Sequence, residues 1–250
     1  MDTQNFKFQD PIEVKSSPLT GTISKSFTSR VFSWMTIGLA ITGLASYLFA
    51  TNATLASLLY VAGPHGGMTF TPLGWISAFA PIGLVLLMSF GYNKLSYQAT
   101  AVTFLLYSLL MGMSLSSIFF VYTAASIYNV FFITAGMFGV MAFLGYTTQI
   151  DLTKFGSLLV MLLIGVIIAS VVNMFTHSAG LDKLLSYACV AIFTGLTAYD
   201  VQKVKNIGAQ VGTDGSATVG KMAVFAALSL YLDFINLFLA LLRLMGNRRS

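Results

Sequence analysis

Near its C-terminus the chain reads Ala227-Leu-Ser-Leu-Tyr-Leu-Asp233-Phe-Ile-Asn236-Leu-Phe-Leu-Ala240-Leu-Leu-Arg243, an apolar run long enough to cross a bilayer, with an acid in its middle. A carboxylate at the bilayer centre costs about 3 kcal/mol on insertion scales, so an acid there marks a functional site by default. Steps of four and three place Ser229, Asp233, Asn236, Ala240 and Arg243 on one helical stripe. Every other face is Leu, Phe, Ile or Tyr. A helix with a single polar seam turns that seam towards protein or water and the rest towards apolar surroundings.

The rest of the chain has the same character. Of its 250 residues 56% are hydrophobic and 8% charged, against ~25% charged in soluble domains. No charge interrupts Val31 to Asn93, Leu95 to Ile150 or Phe155 to Leu181. At ~20 residues per span, each of the first two stretches holds two spans. The pattern predicts seven: Val31 to Ala50, Gly74 to Tyr92, Ala99 to Tyr122, Ile127 to Tyr146, Phe155 to Phe175, Lys183 to Val204 and Lys221 to Leu244. A long uncharged loop with Gly63-Pro64-His65-Gly66-Gly67 separates the first two. Asp151 and Asp182 read as helix caps, Pro81 as a tolerated kink, and Asn206 to Gly220 as an exposed loop. Residues 1–30 form a polar cytoplasmic tail without a cleavable signal, 31–245 the membrane domain, and 246–250 a basic tail.

Basic residues set the orientation. With a cytoplasmic N-terminus, the inner face holds Lys7, Lys15, Lys25, Arg30, Lys94, Lys154, Lys203, Lys205 and Lys221, and the outer loops hold only Lys183. Arg243, Arg248 and Arg249 then sit outside, against the bias, unless the last segment is re-entrant. Its length favours crossing. Gly38 with Gly43, Gly112 with Ser116, and Gly136 with Gly139 are expected where helices pack closely.

A second acid lies on the sixth span, in Thr194-Gly-Leu-Thr197-Ala-Tyr199-Asp200-Val-Gln-Lys203. Read alone, Asp200 is an interfacial aspartate paired with Lys203. Asp233 has no such neighbour on its own helix. Counted from the expected span ends, Asp233 lies about 15 Å deep and Asp200 about 6 Å. Tilt or a broken helix must close that gap if they meet.

These segments resemble the transmembrane Bax inhibitor-1 family. The resemblance rests on Ala198-Tyr199-Asp200, on Ala227 to Phe238 and on Leu241-Leu-Arg243. Looser likenesses are Tyr107 to Ser116 and Gly145 to Thr153, so about Arg30 to Arg243 is covered. The resemblance implies an all-α polytopic membrane protein with six helices surrounding a central seventh, in a bacterial inner membrane. It also implies that Asp200 and Asp233 form a hydrogen-bonded pair that senses protons in a calcium leak path. Ser229, Asn236, Arg243 and Thr197 are the candidates to line that path, and Asp200 with Asp233 to hold calcium transiently. No cofactor is expected beyond calcium as the permeant ion. In some bacterial members a basic residue on span two latches the span-six aspartate, and the span-seven arginine pairs with an acid on span two. This chain has neither partner on span two, and its loop between the two aspartates is longer.

The alternative function is a non-conducting regulator of a membrane protease or a stress or cell-death partner, with Met1 to Ser29 as its contact. An enzyme is not expected. Intramembrane aspartyl proteases carry Gly-x-Gly before the second aspartate, where this chain has Leu230-Tyr231-Leu232. Gly215-Ser-Ala-Thr-Val-Gly220-Lys221-Met222 lacks the Ser/Thr of a phosphate loop, and no strand precedes it. His65 and His177 fall in separate loops without a ligand cluster. One cysteine, Cys189, excludes an intramolecular disulfide. Nothing points to nucleic acid.

Overall fold

A computed structural model describes residues 18–63, 68–211 and 216–249, with side chains from residue 25 onward. The order is α1 (Pro18–Thr51), α2 (Ala53–Leu59), β1 (Tyr60–Ala62), β2 (Met68–Phe70), α3 (Pro72–Phe90), α4 (Tyr97–Leu115), α5 (Ile118–Val121), α6 (Ala124–Thr147), α7 (Thr153–Thr176), α8 (Ala179–Gln210) and α9 (Ala217–Met245). Seven of these segments, with α4 and α5 counted together, are long and apolar enough to cross a membrane. His65, Lys7 and Lys15 lie outside the described residues.

Short polar side chains start most of the helices. Thr71, Ser96, Thr123, Ser178 and Ser216 each accept a backbone N–H from the first turn of α3, α4, α6, α8 and α9. Two of the expected caps are displaced. Ser178 takes the α8 cap, and Asp182 lies inside the first turn, where its charge complements the helix N-terminus. Asp151 stands one residue ahead of the α7 cap position, and its Oδ1 accepts from Thr153 N–H at 2.9 Å. The Thr153 hydroxyl and then this backbone N–H hold its carboxyl pKa below the ordinary value. α7 ends at His177, in the left-handed region at φ 47°. Asn173 Oδ1 accepts from Ser178 N–H and the Thr176 hydroxyl there, so it caps the end.

Several expected boundaries move. The described part of the first connection has its own structure: Asn52 caps α2, and β1 pairs antiparallel with β2. The boundary expected at residue 30 falls inside α1, where Phe27 and Val31 are buried. The loop expected at Asn206 to Gly220 is mostly helix, because α8 runs to Gln210 and α9 begins at Ala217. The Gly/Ser/Thr content suggested a break, but Gly208 and Gly220 are buried within α8 and α9, and a Cβ on Gly220 would meet the Tyr97 ring of α4.

α9 is the core of the bundle, with 16 of its 29 residues buried. It packs against α8, α1, α6 and α4, whereas α3 packs chiefly on α4 and α7 on α8. The surround of six is thus four direct neighbours and two outer helices. α7 buries only Gly156, which marks it as the most lipid-exposed span. At the centre, the Tyr231 ring meets Phe104 and Tyr107 edge-on at 6.0 and 5.4 Å, and its hydroxyl lies 2.6 Å from Thr42 Oγ1.

α9 runs unbroken between two opposite faces. At its start Lys221 Nζ donates to Tyr92 O (2.8 Å) and Leu95 O (3.3 Å) in the α3–α4 turn. Beyond its end, Arg249 N–H donates to Val121 O and Thr123 N–H to Asn247 O, tying the chain to the α5–α6 connection. A re-entrant last segment does not fit these contacts.

The expected packing glycines divide. A Cβ on Gly38 would meet the Phe104 ring, and one on Gly112 the Thr42 backbone. Gly43, Gly136 and Gly139 have open space instead. Two further close approaches lie beside Asp200, Gly145 against the backbone of Ala198 and Gly156 against the ring of Tyr199, both partners being on α8.

Candidate functional site

The polar seam of α9 faces α8 and α7, and between these helices lies a cavity of about 720 Å³. Asp200, Ser229, Asp233, Asn236 and Arg243 line it. Thr197 does not: it is fully buried, and its hydroxyl donates to Phe193 O at 2.7 Å. It lies three residues before Asp200 but faces the helix packing instead. Asn236 Nδ2 turns back to Leu232 O at 2.8 Å, which leaves its amide oxygen as its acceptor group.

Asp233 is 5% exposed, and its side chain lies within hydrogen-bonding range of Asp200. Two ionised carboxylates are both acceptors. The contact is a hydrogen bond only when one carries a proton, and without that proton Asp233 Oδ2 is a buried acceptor with no donor. Lys203, the neighbour expected for Asp200, is exposed and lines a second, smaller cavity together with it.

Neither helix breaks to bring the acids together. Asp200 lies ten residues before Gln210, and Asp233 sixteen residues after Ala217. The two helices are staggered by the difference of six residues, about 9 Å. The predicted gap arose from placing both helix ends at one level.

A second cavity, of about 360 Å³, lies towards the opposite face and is lined by Tyr92, Asp200, Lys203, Ile207, Met222 and Ser229, among others. Asp200 and Ser229 border both cavities. The larger one reaches the face with the chain's C-terminus, where Asn173, Asp182 and Arg243 line it. Asp182, read from the sequence only as a cap, therefore shares this vestibule with Arg243. Among the described residues no three of His, Cys, Asp and Glu gather as a metal site.

Sequence reasoning missed the side chains that hold α8. Gln202, 7% exposed, accepts from Leu152 N–H at 2.8 Å and donates to Ile150 O at 2.7 Å. Lys205 Nζ donates to Tyr146 O at 2.8 Å. The available signal was an amide two residues from Asp200 in a largely apolar span.

Comparison with known proteins agrees with this architecture. The family model described as "Inhibitor of apoptosis-promoting Bax1" matches residues 24–250. Inner membrane protein YbhL of Escherichia coli K12 is 46% identical over 225 residues, covering 90% of this chain and 93% of YbhL. An uncharacterised protein of Borreliella burgdorferi is 46% identical over 228 residues, covering 91% and 94%. One from Rickettsia prowazekii is 39% identical over 227 residues, covering 90% and 91%. With seven membrane-capable helices and an inner-membrane relative of this similarity, the protein is a multi-pass protein of the bacterial inner membrane. The chain belongs to the Bax inhibitor-1 family.

Proposed function

We propose that the protein is a passive, proton-modulated cation leak with calcium as the permeant ion, controlled by Asp200 and Asp233. The observation that carries this reading is the pair of cavities, which approach from opposite faces and both end at Asp200 and Ser229. With one shared proton, the acids hydrogen-bond and hold α8 against α9, so the cavities stay separate. With both ionised, like charges repel, α8 and α9 part, and the junction attracts a hard cation. Two carboxylates with Ser229 and the Asn236 amide oxygen fall short of the ~6–8 oxygens of a calcium-holding site, which favours passage over storage. Arg243 in the outer vestibule opposes cation entry and keeps the leak slow.

The reading is non-enzymatic. Leu230 and Tyr231, just before Asp233, are fully buried and leave no room for a substrate strand.

Calcium flux into liposomes holding only the purified protein tests the proposal. Flux should rise with pH through the titration of the pair. No flux at any pH would sink the leak and favour the regulator of a membrane protease or stress partner.

A further inference from the structure

On another side of α9, a cavity of about 530 Å³ lies between the second half of α1 and the first turns of α6. Its floor is Phe234, Ile235 and Phe238 of α9, and Gly43 and Phe131 stand on opposite walls. The volume falls within the ~300–1,000 Å³ of small-molecule sites. The walls end in side chains that face out of the bundle, Leu44 at 61% and Phe132 at 71% exposure. For a membrane span that outward medium is hydrocarbon, so the crevice opens sideways to lipid. Left empty, its lining would lack dispersion partners. From Leu39 to Tyr47 the lining covers eight steps of α1, about 12 Å, close to the ~15 Å of hydrocarbon in one leaflet. That elongated shape suits one acyl chain.

The polar end of the crevice carries charge. After α9, Arg248 bridges to Tyr122 and Arg249 N–H donates to Val121 O at 2.9 Å. These partners belong to the α5–α6 connection, whose two flanks rim the crevice through Phe119 and Tyr128. Both arginines are exposed there, on the face that the charge bias expects to be poor in basic residues. A guanidinium matches a phosphate with paired N–H donors. An apolar slot one leaflet deep and two arginines tied to its rim complement the two ends of an anionic lipid.

We propose that the α1–α6 crevice binds one anionic phospholipid from the leaflet on the C-terminal face, with an acyl chain on Gly43 and Phe131 and the phosphate at Arg248 and Arg249.

The test uses delipidated full-length protein in detergent, titrated with phosphatidylglycerol or phosphatidylcholine and followed by native mass spectrometry and Tm. Gly43→Phe fills the slot from a position where an added Cβ meets nothing within 4 Å. Arg248→Gln with Arg249→Gln alters only the exposed tail. The expected result is one retained phosphatidylglycerol with a saturable rise in Tm. Gly43→Phe should lose both, and the double glutamine variant should bind phosphatidylglycerol no better than phosphatidylcholine. Two results would overturn the proposal. One is a folded Gly43→Phe protein that still retains the lipid. The other is a lipid preference that the arginine changes leave intact or that the wild type never shows. If Gly43→Phe does not fold, the arginine variant decides.

Discussion

Asp200 and Asp233 act through one another in the proposed mechanism, and that makes a sharp expectation. Asp233→Asn removes the repulsion but keeps a hydrogen-bonding side chain, so calcium flux should lose most of its pH dependence. Asp200→Asn should do the same, and the double change should add little, because residues that share one contact couple strongly. Additive effects, with pH dependence surviving either single change, would separate the acids. Glycines give a second test at this scale. Gly145→Ala drives a Cβ into the Ala198 backbone and should destabilise by about 1–3 kcal/mol. Gly139→Ala meets open space and should be neutral or stabilise by up to ~1 kcal/mol through helix propensity. Thermal unfolding in detergent distinguishes the two.

At the scale of elements, α8 does not stand alone on the α9 seam. Gln202 ties it to the α6–α7 connection, and Lys205 ties it to the end of α6. A parting of α8 from α9 therefore carries that connection with it. We predict that Gln202→Ala leaves Leu152 N–H and Ile150 C=O without this partner, at a local cost of about 1–3 kcal/mol. Amide exchange in residues 150–153 should accelerate, while exchange at the centre of α9 stays slow. Equal acceleration in both would mean that Gln202 supports the whole bundle and not one connection. α7 offers a contrast, since its contact with the bundle runs chiefly through α8. It bounds the larger cavity without burying more than Gly156.

For the whole molecule, the crossing of α9 sets the topology. Its start is bonded to the α3–α4 turn and its sequel to the α5–α6 connection. A cysteine added after Ser250, in a Cys189→Ser background, should react with an impermeant thiol reagent from the outer side. Labelling from the inner side alone would reverse the arrangement. The arginines at this end oppose the charge bias, but a helix of 29 residues with both ends tied outweighs them.

Much of this was legible in the sequence, for a physical reason. Bilayer thickness and the cost of a buried charge act along one helix at a time, so span number, the polar seam of α9 and the exceptional status of Asp233 could be read from local composition. Whether a residue meets another span depends on stagger and rotation, which no single helix encodes. The six-residue offset between α8 and α9 unites two acids that equal helix ends would have kept apart. Rotation removes Thr197 from the cavity and brings in Asp182, although both lie on α8 with Asp200. It also decides which glycines are contacts, because Gly145 and Gly139 look alike in sequence and only one has a neighbouring backbone against it. The bilayer specifies the helices; their packing against α9 creates the site.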